Sequence, residues 1–285
     1  MTGVSILNAL AISGLYVLVV TGLAIIYGLR GVMNFSHGAL YMVGGYFAYT
    51  LTSHMNFWVG LVGATVIMGL IGILFEFVVL RPLMGRLNPT LMALVTFGLS
   101  IIIDQVIVKV YGGGSHTTAL PSGLQGTTAL LGTHYPTYRL FVIGVAVAFS
   151  IGLFCWLRYS RTGMYVRAFS QDPGTSEILG VNSDRIGLLI VSLGMACAGL
   201  AGALAGPYIT VSPSMGDSMV ITALIIVVVG GVGSLGGAFV IAIVYGFVQT
   251  FGAQWVPSFS STIPYLAAFI ALIAVPRGLG RSREA

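Results

Sequence analysis

Charge is what this sequence has least of. Only 7% of its 285 residues are Asp, Glu, Lys or Arg, against about 25% in an ordinary soluble domain. Too little charge is present to cover a water-facing surface, so soluble enzymes and nucleic-acid binders are excluded, despite a net charge of +5. There is a single lysine, Lys109, flanked by Val108 and Val110. A phosphate-cradling P-loop needs G-x-x-x-x-G-K-[ST], so the chain has no ATP site of that kind. The two cysteines, Cys155 and Cys197, lie inside apolar runs and read as buried thiols, not a disulfide framework. No positive charge precedes Arg30, so the charged start of a cleavable signal peptide is missing. No His and acidic residues stand at metal-ligand spacing, and no nucleophile–base pair is evident. Neither a catalytic centre nor a metal or cofactor is expected in this chain.

What the sequence has in quantity is apolar residues: 57%, with a mean hydropathy of +1.01. The stretches 1–29, 31–75, 110–138, 186–216 and 218–276 contain no charged residue. About 20 apolar residues cross a bilayer core as a helix. The pattern predicts an all-α polytopic membrane protein, one transmembrane domain over 1–285. About eight or nine membrane segments are expected, near 5–29, 33–53, 57–80, 90–110, 139–157, 186–211, 218–231, 236–254 and 263–276. Each run exceeds the roughly 10 residues of a barrel strand, and none alternates.

Counting basic residues orients the chain. With Arg277, Arg281 and Arg283 placed in the cytoplasm, the inner loops also collect Arg30, Arg81, Arg86, Arg158, Arg161, Arg167 and Arg185. Only Lys109 and Arg139 remain outside, a clear positive-inside asymmetry. The N-terminus is then outside and the C-terminus cytoplasmic. Residues 218–254 are interrupted by the run from Gly230 to Gly237, giving either two short crossings or a re-entrant, glycine-broken hairpin.

Two loops stand out. Residues 111–138 form a long extracytoplasmic loop rich in Gly, Ser, Thr and Pro, and loops of that length usually have a function or are disordered. Residues 158–185 form the most charged part of the chain, on the cytoplasmic face. Within it, residues 172–180 read as a short helix: Asp172 as N-cap, Pro173 at the first helical position, Gly180 as the left-handed C-terminal residue. A helix this short needs packing to persist.

Gly163, Arg167-Ala168, Asp172, Leu179-Gly180-Val181-Asn182 and Asp184-Arg185 resemble the cytoplasmic coupling loop of branched-chain amino-acid ABC transporter permeases. The resemblance extends along the chain. Gly28 and Val32-Met33-Asn34-Phe35-Ser36-His37-Gly38-Ala39, followed by Tyr41-Met42, are similar to the family's "NFAHG" signature. Arg81-Pro82-Leu83 with Gly85-Arg86 resembles its "RPLRG" turn. Gly230 to Ala238 resembles its "GGxGSLxGA" hairpin, and Pro276-Arg277-Gly278-Leu279 its C-terminal signature. The match looks closest to the shorter, LivH-like subunit. Ala39 stands where a glutamate is common and Phe77 where an arginine is. Pro173-Gly174 and Ser176 replace helix-forming residues, so a shortened coupling helix is expected.

The resemblance implies a multi-pass permease of the bacterial inner membrane. It implies a second permease subunit, two cytoplasmic ABC ATPases that hold ATP and Mg, and an extracytoplasmic substrate-binding protein. ATPase coupling would fall to Gly163, Arg167, Ala168, Asp172, Glu177, Leu179, Gly180 and Asn182. Candidates for the translocation path are Asn34, Ser36, His37, Tyr41, Gly233 and Ser234, because broken helices present free amides and carbonyls to a zwitterion. A core role for His37 is an equal reading. The small-residue run from Gly194 to Gly206 reads as a packing face. Glu76 is expected to reach the inner interface and pair with an arginine, Arg81 being five positions on, and Asp104 to snorkel at the outer end. Urea or short amides remain alternative substrates. An ion-gradient-driven secondary transporter would want an acidic residue near mid-membrane, and an intramembrane enzyme a catalytic dyad.

Overall fold

The apolar runs become helices close to where the sequence places them. A computed structural model describes residues 2–130, 133–260 and 262–274. The C-terminal signature, the last three arginines and the position of the C-terminus lie outside the described residues. The helices are α1 (Thr2–Arg30), α2 (Ser36–His54), α3 (Phe57–Phe75), α4 (Pro89–Tyr111), α5 (Thr137–Tyr159), α6 (Arg161–Gln171), α7 (Pro173–Ile178), α8 (Ser183–Ile209), α9 (Met215–Gly230), α10 (Leu235–Trp255) and α11 (Ile263–Ala274). Polar side chains mark several starts. Asn56, Asn88, Asn182 and Ser234 each accept from the backbone amide three residues on, at 2.9–3.1 Å, satisfying donors that the first helical turn leaves free.

Among the described residues, six helical stretches are long and apolar enough to cross a membrane: 3–30, 57–83, 89–111, 137–159, 183–209 and 235–255. The second is α3 extended by a π-helical turn, Glu76–Leu80, and by Arg81–Leu83. Helices α9 and α11 are apolar but shorter. Sixteen residues carry α9 only about 24 Å along its axis, less than the roughly 30 Å hydrocarbon core. Helix α2 is more polar, and its place explains why: it is sheathed by α3, α4, α8 and α9.

The core runs along α1, α2 and α8. The expected small-residue packing face is found there. A Cβ on Gly44 would lie 2.6 Å from the Gly199 Cα, and one on Gly202 would lie 2.8 Å from the Gly45 nitrogen. Only glycine lets these backbones approach so closely.

Three expectations need correction. The fold is mostly but not wholly α: the 111–138 loop folds into a β-hairpin of β1 (Thr127–Leu130) and β2 (Thr133–Pro136), with Thr128 opposite Tyr135. The same loop is stitched to the end of α8 by paired His116 and Val211 backbone hydrogen bonds of 2.8 Å. Cys197 is buried as expected, but Cys155 is exposed, because an apolar run in a lipid-facing helix has an outward side. Residues 158–185 hold two helices, with α6 preceding the expected short one.

Candidate functional site

The first chain break places its polar residues inside the protein. Asn34, Ser36 and His37 are fully buried. The Asn34 Oδ1 accepts from the Ser36 amide at 3.0 Å, and the Ser36 hydroxyl donates to the Thr96 carbonyl at 2.6 Å. The His37 Nε2 lies 3.1 Å from the Val19 carbonyl of α1. Their polar atoms close the gap between α1, α2 and α4. The Asn34 Nδ2 and His37 Nδ1 have no hydrogen-bond partner. Tyr41 is buried in the main apolar core, on α2.

The glycine run forms a tight turn between α9 and α10. Gly231 and Gly233 take left-handed conformations, φ +97° and +82°, which L side chains adopt at a cost. Ser234 caps α10. The turn packs on the end of α1: a Cβ on Gly28 would meet the Gly233 carbonyl at 3.5 Å. Two signatures distant in sequence therefore touch.

The charged loop is built from α6 and α7. Ser160 caps α6 by accepting from the Gly163 amide at 2.8 Å, and Gly163 is buried against the carbonyls that end α5. Asp172 caps α7 as the residue order predicts: its carboxylate accepts from the Thr175 amide at 3.0 Å and from the Thr175 hydroxyl at 2.5 Å. These bonds hold the Asp172 carboxyl below its ordinary pKa. At the other end Gly180 sits at φ +89°, and the Val181 amide donates to the Ser176 carbonyl at 3.0 Å, closing the helix. Arg167, Ala168, Glu177 and Asn182 are exposed. So are two apolar side chains at the tip, Ile178 at 86% and Leu179 at 78%.

Arg167 and Gly233, read from separate motifs, line one cavity of about 290 Å³ with Gly28 of α1 and Phe154, Leu157 and Arg158 of α5. The structure thus brings the charged loop and the glycine turn together. Asn34, Ser36 and His37 lie in a different part of the molecule, against Val19 and Thr96.

Glu76 pairs with an arginine as expected, but inside the protein and not with Arg81. It is only 1% exposed and pairs with Arg30, 5% exposed, the last residue of α1. Arg81 pairs instead with Asp184 at the start of α8, where both are about half exposed. Glu76 opens the π-helical turn of α3, and the Arg30 guanidinium lies across Gly187, where a side chain would collide with it. A bare glycine on α8 is what lets the arginine reach inward.

A further cavity of about 580 Å³, not among the sites expected from the sequence, lies between α4 and the start of α9, lined among others by Phe97, Ser100, Asp104, Gln105, Ser214 and Asp217. Asp104 does not simply snorkel: its Oδ1 is buried without a hydrogen-bond partner. Ser100, Asp104 and Gln105 recur at helical spacing, so one face of α4 carries polar side chains. That periodicity within an apolar run was the available signal.

With this arrangement in view, the sequence was compared with known proteins. It matches the family described as branched-chain amino acid transport system / permease component over residues 5–275. The chain belongs to this family. The permease is 28% identical to the high-affinity branched-chain amino acid transport system permease protein LivH of Salmonella typhimurium, covering 96% of this chain and 94% of that one. It is 29% identical to the corresponding BraD protein of Pseudomonas aeruginosa, over 97% and 95%. A fructose import permease, FruF of Bifidobacterium longum, is 26% identical over 81% of this chain and 63% of its own length. The chain is thus a permease of this family, as the motifs implied, with helices long and apolar enough to span a membrane.

Proposed function

We propose that the chain is the membrane-spanning subunit of an ATP-driven importer that carries a branched-chain or related small amino acid. It alternates access as separate ATPases close, together with a second permease subunit and an extracytoplasmic binding protein. The observation that carries this reading is the tip of the charged loop. Ile178 and Leu179 are nearly bare of contacts within the chain, at the end of a helix capped on both sides. Exposed apolar side chains on a rigid, charged platform suit docking into a groove of a soluble partner.

Charge distribution supports the orientation. Of the nine described basic residues, seven (Arg30, Arg81, Arg86, Arg158, Arg161, Arg167 and Arg185) fall at the end that carries this loop. Lys109 and Arg139 fall at the other, where the Arg139 guanidinium lies 4.9 Å from the Tyr208 ring centroid. The loop end is then cytoplasmic and the β-hairpin extracytoplasmic. Helix α9 leads from the His116–Val211 contact to the turn beside Gly28, and α10 leads back, where Gln254 accepts from Ser5 at 2.7 Å. We read the pair as two crossings, giving nine membrane segments in all.

Tagging the chain in its own host and identifying what co-purifies tests the proposal. Two P-loop ATPases per complex and a second permease are expected. Substrate uptake by this chain alone in proteoliposomes, driven by an ion gradient, would overturn it.

A further inference from the structure

We propose that the cavity joining the charged loop to the glycine turn is a binding site for one anionic phospholipid, such as phosphatidylglycerol. Its walls come from four elements. Ala24, Ile25, Gly28 and Leu29 of α1, with Phe154 and Leu157 of α5, form an apolar slot, and Arg158 and Arg167 stand in its polar part beside Ser170 and the glycine turn. Phe154 and Arg158 are four residues apart and share one helical face. Ala24 and Leu29 are about 7 Å apart along the axis of α1. The slot therefore grades from aliphatic at membrane depth to cationic at the end of the helices, which is how a phospholipid grades from chain to headgroup.

Charge complementarity selects the anionic class. No carboxylate lines the cavity, and neither arginine is ion-paired with another described residue. The two non-bridging oxygens of a phosphodiester accept charge-assisted hydrogen bonds from guanidinium N–H groups. A zwitterionic lipid brings its own ammonium into the same space and cancels the gain. The apolar walls select a lipid over free phosphate, which would leave the slot unfilled. The volume, about 290 Å³, sits near the lower end of small-molecule sites, roughly 300–1,000 Å³. It fits a headgroup and the first part of one chain. Glycine matters at the turn: Gly236 faces open space and Gly28 carries no side chain, which keeps the slot open there.

The lipid site is formed by the permease's own residues; Arg167 also lies in the proposed coupling loop, so ATPase co-purification from the host is read beside lipid binding. The experiment uses the purified, delipidated full-length chain in detergent, read by thermal unfolding and by native mass spectrometry. Phosphatidylglycerol, phosphatidylcholine and inorganic phosphate are added separately. Phosphatidylglycerol is expected to bind at one copy per chain and to raise the melting temperature, with no comparable effect from the other two. An arginine near anionic lipid contributes enough for roughly a fivefold change in affinity. Arg158→Gln should therefore weaken phosphatidylglycerol about fivefold, and Arg158→Gln with Arg167→Gln about 30-fold. Arg161→Gln, outside the cavity, should not. Equal stabilisation by the two lipids, binding by inorganic phosphate alone, or unchanged affinity in the double variant would overturn the site. So would a double variant that keeps its lipid but loses a co-purifying ATPase, which would assign the arginines to a protein partner.

Discussion

Arg30 and Glu76 are the charged residues placed most deeply, and their burial sets what each is worth. Two ions taken from water must find each other, and removing one leaves the other stranded, typically at a cost of about 3–5 kcal/mol. Glu76→Ala should therefore strongly destabilise the permease. Arg81→Ala, which breaks the half-exposed pair with Asp184, should cost less than about 1 kcal/mol. Unfolding of both variants in the same detergent checks this, and equal losses would refute the assignment. Asp172 makes a prediction about pH. Its carboxyl is held below its ordinary value of 3.8 by the Thr175 hydroxyl and amide. The cap's contribution is thus fully present above that value and is lost as pH falls through the lower, folded one. Near neutral pH, amide exchange at Thr175 should be faster in Asp172→Ala than in the parent chain, and the difference should vanish in strong acid.

At the scale of elements, the approach of α2 to α8 is set by glycines. Gly202→Leu would drive a side chain into the Gly45 backbone and should cost at least about 1–3 kcal/mol, the usual penalty of overpacking. Gly152→Ala on α5 has open space around it and should be neutral or stabilising, because alanine favours helix by about 1 kcal/mol. Comparing the two melting temperatures tests whether glycine here serves packing or merely composition. Legibility in the sequence follows the same divide. The long helices are readable because they are apolar runs, a local signal, several of them opened by an N-cap such as Asn56, Asn88 or Asn182. Helix α6 is not, since only Gly163, Val166 and Phe169 of its eleven residues are buried and its other positions are polar or exposed. The Arg30–Glu76 pair spans 46 positions, and Asp104 meets Asp217 across one cavity only once α4 and α9 are packed. Contacts of that range depend on how helices assemble, which no local pattern encodes. The same is true of His37, whose ring reaches Val19 because α1 and α2 both pack on α8.

At the scale of the whole molecule, scarcity of charge concentrates what charge there is. The end bearing α6 and α7 holds seven described arginines, both ion pairs and the cavity that reaches the glycine turn. Asp184, on the first turn of α8, ties the root of the charged loop to Arg81 at the end of α3. Under the proposed function, a push on α7 would pass through α8 and the Asp184–Arg81 pair into helices that form the core. That route is how we propose that a separate ATPase drives the chain. The central claim is that the tip of α7 receives the motor, and the direct test is Ile178→Asp with Leu179→Asp in the complete reconstituted importer. The account predicts that ATP-dependent amino-acid uptake falls at least tenfold while the permease still folds and melts as before. Uptake at the parental rate, with the ATPases still bound, would contradict it.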